Sequence, residues 1–199
     1  MGDLARSMLL DGFLALRKAD PYMARGVQSQ AAALAGLDEA LETRALGLLT
    51  KGKAGPSEVR RVAAVLKLIT YLNRVGRYGF DIARAVDHLH GTPEPAAGFE
   101  ALHPMVVNVE SMMDIVLGSL RSGQAPDLVR ILDLEDAVDA AHARFFELAV
   151  AAMAKDPRTL RVGTQGILVA RALERCADNV CKMGEKVHYA VTGERVLLR

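Results

Sequence analysis

Apolar residues recur along this chain at three- and four-residue spacings, and the recurrence breaks at a few polar, Gly- or Pro-containing points. Leu9, Leu10, Phe13, Leu14 and Leu16 line an opening helix predicted over about 3–18. Asp20-Pro21 then reads as an N-cap followed by proline in the first turn. The helix it starts is expected to run unbroken to about Thr50, with Val27, Leu34, Leu37, Leu41 and Leu48 as its apolar stripe. Lys51-Gly52-Lys53-Ala54-Gly55-Pro56 is a connector, and Ser57 is expected to cap a third helix through Leu89. The stretch from Gly91 to Gly98 holds two prolines and is the clearest boundary, dividing the chain into 1–93 and 99–199. Three more helices follow, at about 100–121, 126–154 and 157–192, with Gly193 ending the last. Short connectors between long helices imply antiparallel neighbours and an all-α fold of two tandem antiparallel three-helix bundles.

The second half reads as a diverged copy of the first. An offset of 104 lays Met8 to Arg17 on Met112 to Arg121, and Leu49 on Met153. An offset of 101 lays Leu72-Asn73-Arg74-Val75-Gly76-Arg77 on Leu173-Glu174-Arg175-Cys176-Ala177-Asp178. A period near 100 is too long for a solenoid unit and indicates duplication of a three-helix module.

Composition supports the helical reading. Aromatics make up 5% of the 199 residues and Trp is absent, so the core must come from aliphatic helix formers. The net charge of +1 gives no global field to draw nucleic acid or membrane. Divided at residue 98, the first part carries 13 Lys/Arg and 10 Asp/Glu, the second 12 and 14, so acids gather in the second half. Cys176 and Cys181 lie about 140° apart around one predicted helix, which excludes a disulfide between them. Two free thiols suit a reducing cytoplasm, and no run of 18 uncharged apolar residues predicts a membrane span.

The acids carry the candidate chemistry. Glu174 and Asp178 are four apart, so both project from one face of the last helix, where a hard divalent cation would relieve their repulsion. Asp133, Asp136 and Asp139 recur every three residues in the preceding helix, with His142 three further on. Asp136 and Asp139, well inside that helix, are the candidate ligands, whereas Asp133 suits the favourable field near a helix N-terminus. Glu110 and Asp114 form another four-apart pair. Turned inward, these acids build a metal site; turned outward, they are a solvated face. Asp81 is expected to pair with Arg77. The segment 51–56 lacks phosphate-loop spacing, no metalloprotease-type histidine spacing occurs, and no strand-turn-helix context supports a hydrolytic nucleophile.

Arg171-Ala172-Leu173-Glu174-Arg175-Cys176-Ala177-Asp178-Asn179, continued by Val187-His188-Tyr189-Ala190-Val191-Thr192-Gly193-Glu194, resembles the final helix of PhoU proteins. Ser57 to Val62 with Tyr71 to Gly76 resembles the matching helix of that family's first repeat. The resemblance spans essentially the whole chain. It implies an acidic motif in each repeat associated with iron, zinc, manganese or magnesium. Carried over, Glu174 and Asp178 match the second repeat's motif, and Asp136 and Asp139 the acids of its middle helix. The first repeat departs from it: Asn73 and Arg77 replace the motif acids, and Ala32 and Ala35 fall where Asp136 and Asp139 sit. An arginine there opposes a cation, so any metal is expected in the second half alone.

The resemblance also implies a role. It is that of a non-enzymatic cytoplasmic regulator of phosphate uptake, a homodimer bridging a phosphate ABC transporter and a sensor histidine kinase. A metal-free helical scaffold and a regulator of another transporter are the alternatives. A ferritin-like di-iron enzyme, which needs Glu-x-x-His on each of two helices and an inward Glu on each of two others, is the enzymatic alternative.

Overall fold

The computed structural model describes residues 1–50, 55–89 and 96–198. Among these it contains seven α-helices and no strand: α1 Gly2–Lys18, α2 Pro21–Ser29, α3 Ala31–Thr50, α4 Pro56–His88, α5 His103–Ser122, α6 Leu128–Lys155 and α7 Leu160–Thr192. Short 3-10 segments, Ala96–Leu102 and Pro157–Thr159, lead into α5 and α7.

Local chemistry sets the ends. Asp20 caps α2, its carboxylate accepting from the backbone N–H of Tyr22 at 2.8 Å and Met23 at 3.1 Å. Asp127 caps α6 through the Arg130 N–H at 2.9 Å. The start of α4 differs from expectation: Gly55 is its N-cap and Pro56 opens the helix, while the Glu58 carboxylate accepts from the Gly55 N–H at 3.0 Å. Ser57 therefore lies inside the first turn. Most of the predicted connector and boundary, residues 51–54 and 90–95, falls outside the described residues.

The long second helix is broken into α2 and α3 at Gln30. The Ser29 hydroxyl donates to the Gly26 carbonyl at 2.7 Å, and the Gln30 N–H turns to the Val27 carbonyl at 3.1 Å. A serine that bonds its own backbone beside a flexible glycine weakens the helix there. Past the break α3 packs chiefly on α4 and buries little beyond Leu34 and Ala45. Leu37 and Leu48, expected in the stripe, are 37% and 52% exposed.

The repeat is visible in what is buried. Along α4 the inward positions include Leu68, Leu72, Val75, Gly79, Ile82 and Val86; along α7 they include Val169, Leu173, Cys176, Val180, Met183 and Val187. The two sets match one to one at the offset of 101, with the four-three alternation of a bundle helix. α1, α2, α3 and α4 form one half, and α5, α6 and α7 the other. α4 and α7 pack along each other, α1 touches α5, and a single hydrophobic core runs through both halves. α3 and α6 lie antiparallel to their partners. Leu34 covers Gly76 on one side, while Phe145 covers Gly166 and Ile131 covers Gly184 on the other. α1 and α4 come closest where Gly12 meets Gly79, and a side chain built on Gly79 would stand 2.5 Å from the Met8 backbone.

Candidate functional site

α7 carries the acidic pair because its leucine-cysteine-valine stripe faces the core and leaves the flanking positions at the α6 seam. Glu174 is half-buried there, with its side chain 14% exposed, and Asp178 is exposed one turn on. The antiparallel register brings the middle of α6 opposite. Asp139 and His142, both half-buried, lie near enough to Glu174 to act on its charge. Burial pushes the Glu174 carboxyl above its ordinary value, and Asp178 pushes it further; Arg171 and His142 pull it down, and Asp139 adds a smaller rise.

Each Glu174 oxygen has a separate environment. Oε1 accepts from the Arg171 guanidinium at 2.5 Å, three residues earlier on the same helix. Oε2 is buried and has no hydrogen-bond partner. A buried carboxylate oxygen without a donor carries a desolvation penalty that a cation would relieve. The donor set around it, Asp178, Asp139 and His142, consists of the oxygen and imidazole ligands that divalent ions accept, so the residues present fit a metal chemically. Among the described residues no three His, Cys, Asp or Glu side chains are already gathered into a cage. Asp178 and the α6 groups would have to swing toward Oε2 to complete one.

The remaining acids fall elsewhere. Asp136 is exposed, and both it and Asp139 already have partners. Asp133 is exposed near the start of α6. Glu110 and Asp114 turn toward α1, where Arg6 bonds them at 2.5 Å and 3.0 Å. The Arg6–Glu110 pair crosses 104 residues of sequence, and no helical spacing could have indicated it. In the first half Asn73 is half-buried and Arg77 exposed, and among the described residues no ion pair joins Arg77 to Asp81. Asp81 instead lines a cavity between α4 and α7. The partnership of Arg171 with Glu174 is absent from the sequence-based expectations, although its i,i+3 spacing is a signal that could have found it.

A second charged cluster closes the far end of α7. Glu185 is 1% exposed and accepts from Lys182 at 2.9 Å, Lys186 at 3.2 Å and the Leu198 backbone N–H at 3.1 Å. Burial raises its carboxyl, but those hydrogen bonds outweigh the rise and hold it below the ordinary value. The tail following Gly193 is thereby folded back onto α7. Cys176 and Cys181 are both buried and unbridged, and burial raises the Cys176 thiol far above its usual range. No helix among the described residues is long and apolar enough to cross a membrane.

Comparison with known proteins places these features in context. The PhoU domain matches the chain twice, at residues 1–86 and 102–187. The phosphate-specific transport system accessory protein PhoU homolog of Rhizobium meliloti is 27% identical over 197 residues, covering 97% of this chain and 81% of its own length. The homolog of the same description in Clostridium acetobutylicum is 26% identical over 204 residues, covering 98% and 90%. Among solved structures, the phosphate transport system regulatory protein PhoU of Streptococcus pneumoniae superposes with a TM-score of 0.86 at 26% identity, covering 98% of this chain and 92% of that one. PhoU of Pseudomonas aeruginosa shares the fold at a TM-score of 0.89 and 22% identity, covering 98% and 93%.

Proposed function

This chain belongs to the PhoU family, and from that premise we propose that it is an accessory regulator of phosphate uptake and signalling. It works without catalysis, as a cytoplasmic adaptor between a phosphate ABC transporter and a sensor histidine kinase. The observation that carries the reading is the double match to the PhoU domain, together with likeness along nearly the whole chain to proteins described as phosphate-specific transport accessories. The fold suits an adaptor, because two long helical layers joined by one core present extended faces. The end of α6 offers Phe146, Leu148 and Val150, exposed by 44%, 54% and 41%. Exposed apolar side chains concentrated on one helix end favour contact with another protein.

Affinity capture of the tagged chain from its own membranes tests the adaptor role. Recovery of an ABC-transporter subunit and a histidine kinase is expected, and their shared absence would reject it. Deleting the gene should also release phosphate-responsive transcription from repression in phosphate-rich medium.

A divalent metal, whether iron, zinc, manganese or magnesium, belongs to this proposal as a brace between α6 and α7. Glu174 would hold it through Oε2, with Asp178, Asp139 and His142 as further donors and Asp136 as an outer ligand. When bound it supplies a fixed positive charge; Arg171 keeps Oε1 oriented. Elemental analysis of the native protein should find metal that Glu174→Gln/Asp178→Asn loses. A metal-free wild type after reconstitution with all four ions would leave an adaptor without a brace. The chain is further proposed to work as a homodimer, which sedimentation would test.

A further inference from the structure

Where α4 of one half runs past α7 of the other, a cavity of about 350 Å³ opens between them. Its walls divide by chemistry. Ile82, Ala85, Val169 and Ala172 give an apolar floor, and Arg84, Arg171 and Arg175 stand on it against a single carboxylate, Asp81. His88 and Gln165 add further polar groups. Among the described residues neither Arg84 nor Arg175 forms an ion pair; the Arg84 guanidinium rests 5.9 Å from the Phe80 ring centre. Arg171 faces two ways: it lines this cavity and it holds Glu174 at 2.5 Å.

We propose that this groove binds a small phosphate monoester with an apolar body, and that Arg171 is shared between that ligand and Glu174. The volume lies in the range of small-molecule sites. Guanidinium groups grip oxyanions through paired N–H donors, and three of them around one groove, Arg84 from α4 and Arg171 and Arg175 from α7, exceed what Asp81 can neutralise. A phosphate monoester carries about 1.5 to 2 negative charges at neutral pH, which matches that excess better than a lone carboxylate. The apolar floor would hold the body of the ligand. Because one guanidinium serves both sites, the ligand and Glu174 compete for it. Whatever weakens the hold of Glu174 tightens the ligand, and the coupling is reciprocal. Nothing in this proposal requires the metal.

Isothermal titration at low ionic strength, with AMP, inorganic phosphate and adenosine as probes, tests it. AMP is expected to saturate, phosphate to bind about tenfold more weakly for want of a body, and adenosine not to bind. Arg84→Ala/Arg175→Ala changes exposed positions only, so it should keep its melting temperature and lose AMP affinity by about tenfold or more. Glu174→Gln should tighten AMP several-fold, by releasing Arg171. No saturation by AMP or phosphate would overturn the site, as would affinity unchanged in the arginine double variant. Displacement of AMP by an acidic peptide at equal concentration would overturn the small-molecule assignment in favour of a protein partner. Unchanged AMP affinity in Glu174→Gln would overturn the sharing of Arg171.

Discussion

The two halves of this molecule bury the same positions and expose different chemistry. The stripe of α4 from Leu68 to Val86 and that of α7 from Val169 to Val187 superpose residue by residue at the repeat offset. Val27 and Leu34 correspond to Ile131 and Val138 in the same way, all buried. Yet where the second half sets Asp139 and His142 across from Glu174 and Asp178, the first sets Ala35 and Asp38 on α3, and Asn73 and Arg77 on α4. Core positions answer to packing, where a lost methylene is felt at once. Seam positions at the edge of solvent are less bound by packing, and there the two halves carry different side chains.

Even within the shared frame, the halves solve local problems differently, and the differences can be broken experimentally. The largest effect is expected at the α1–α4 crossing, which rests on Gly12 and Gly79, whereas the matching positions in the second half carry the buried valines Val116 and Val180. Gly79→Ala should cost about 3 kcal/mol in denaturant unfolding, because backbone rather than a flexible side chain stands in the way. A loss below about 1 kcal/mol would mean the helices can slide apart cheaply.

Glu185, whose counterpart by the 101 offset is the exposed Arg84, anchors the tail of the second half. Glu185→Gln should cost about 2 kcal/mol at neutral pH through lost charge-assisted hydrogen bonds. Its folded-state carboxyl is held below the ordinary value, so this contribution is present above the unfolded pKa and disappears as pH falls through the folded one. The variant and wild type should therefore converge in stability in acid. Glu174 has the opposite sign. Its carboxyl is raised, so the folded state binds the proton more tightly, and stability declines as pH climbs from the unfolded value through the folded one. In metal-free protein Glu174→Gln should flatten that decline and raise the melting temperature slightly at neutral pH.

The smallest expected effect concerns matching helix ends. Ala19 and Gly123 cap α1 and α5 at equivalent positions, both left-handed, with φ of 50° and 70°. An alanine is strained there and a glycine is not. Ala19→Gly should stabilise by about 1 kcal/mol and Gly123→Ala should destabilise by a similar amount, read from paired melting curves. Equal and opposite shifts would show that the caps are interchangeable, and unequal ones that the two termini carry different loads.

Much of the architecture is legible in the sequence because helical burial is periodic and local. The spacing of Leu72, Val75, Ile82 and Val86 and the Asp20 cap require only the chain's own geometry. The break at Gln30 is hidden because the hydrophobic period continues through it, and only the Ser29 and Gln30 hydrogen bonds reveal that the backbone does not. The candidate acids Glu174 and Asp178 are legible as a pair on one face. The nearness of Asp139 to Glu174, the capture of Glu110 by Arg6 and the two-sided role of Arg171 are not.

By itself, then, the sequence determined the helices, the duplication and the one-sided distribution of acids, since each follows from short-range spacing and residue type. Only the tertiary structure decided that α4 and α7 seal the halves into one core, which carboxylates meet a guanidinium, and which oxygen of Glu174 is buried without a donor. Those outcomes depend on the register of helices some hundred residues apart, where a shift of one residue turns a side chain by about 100° and moves it from seam to solvent.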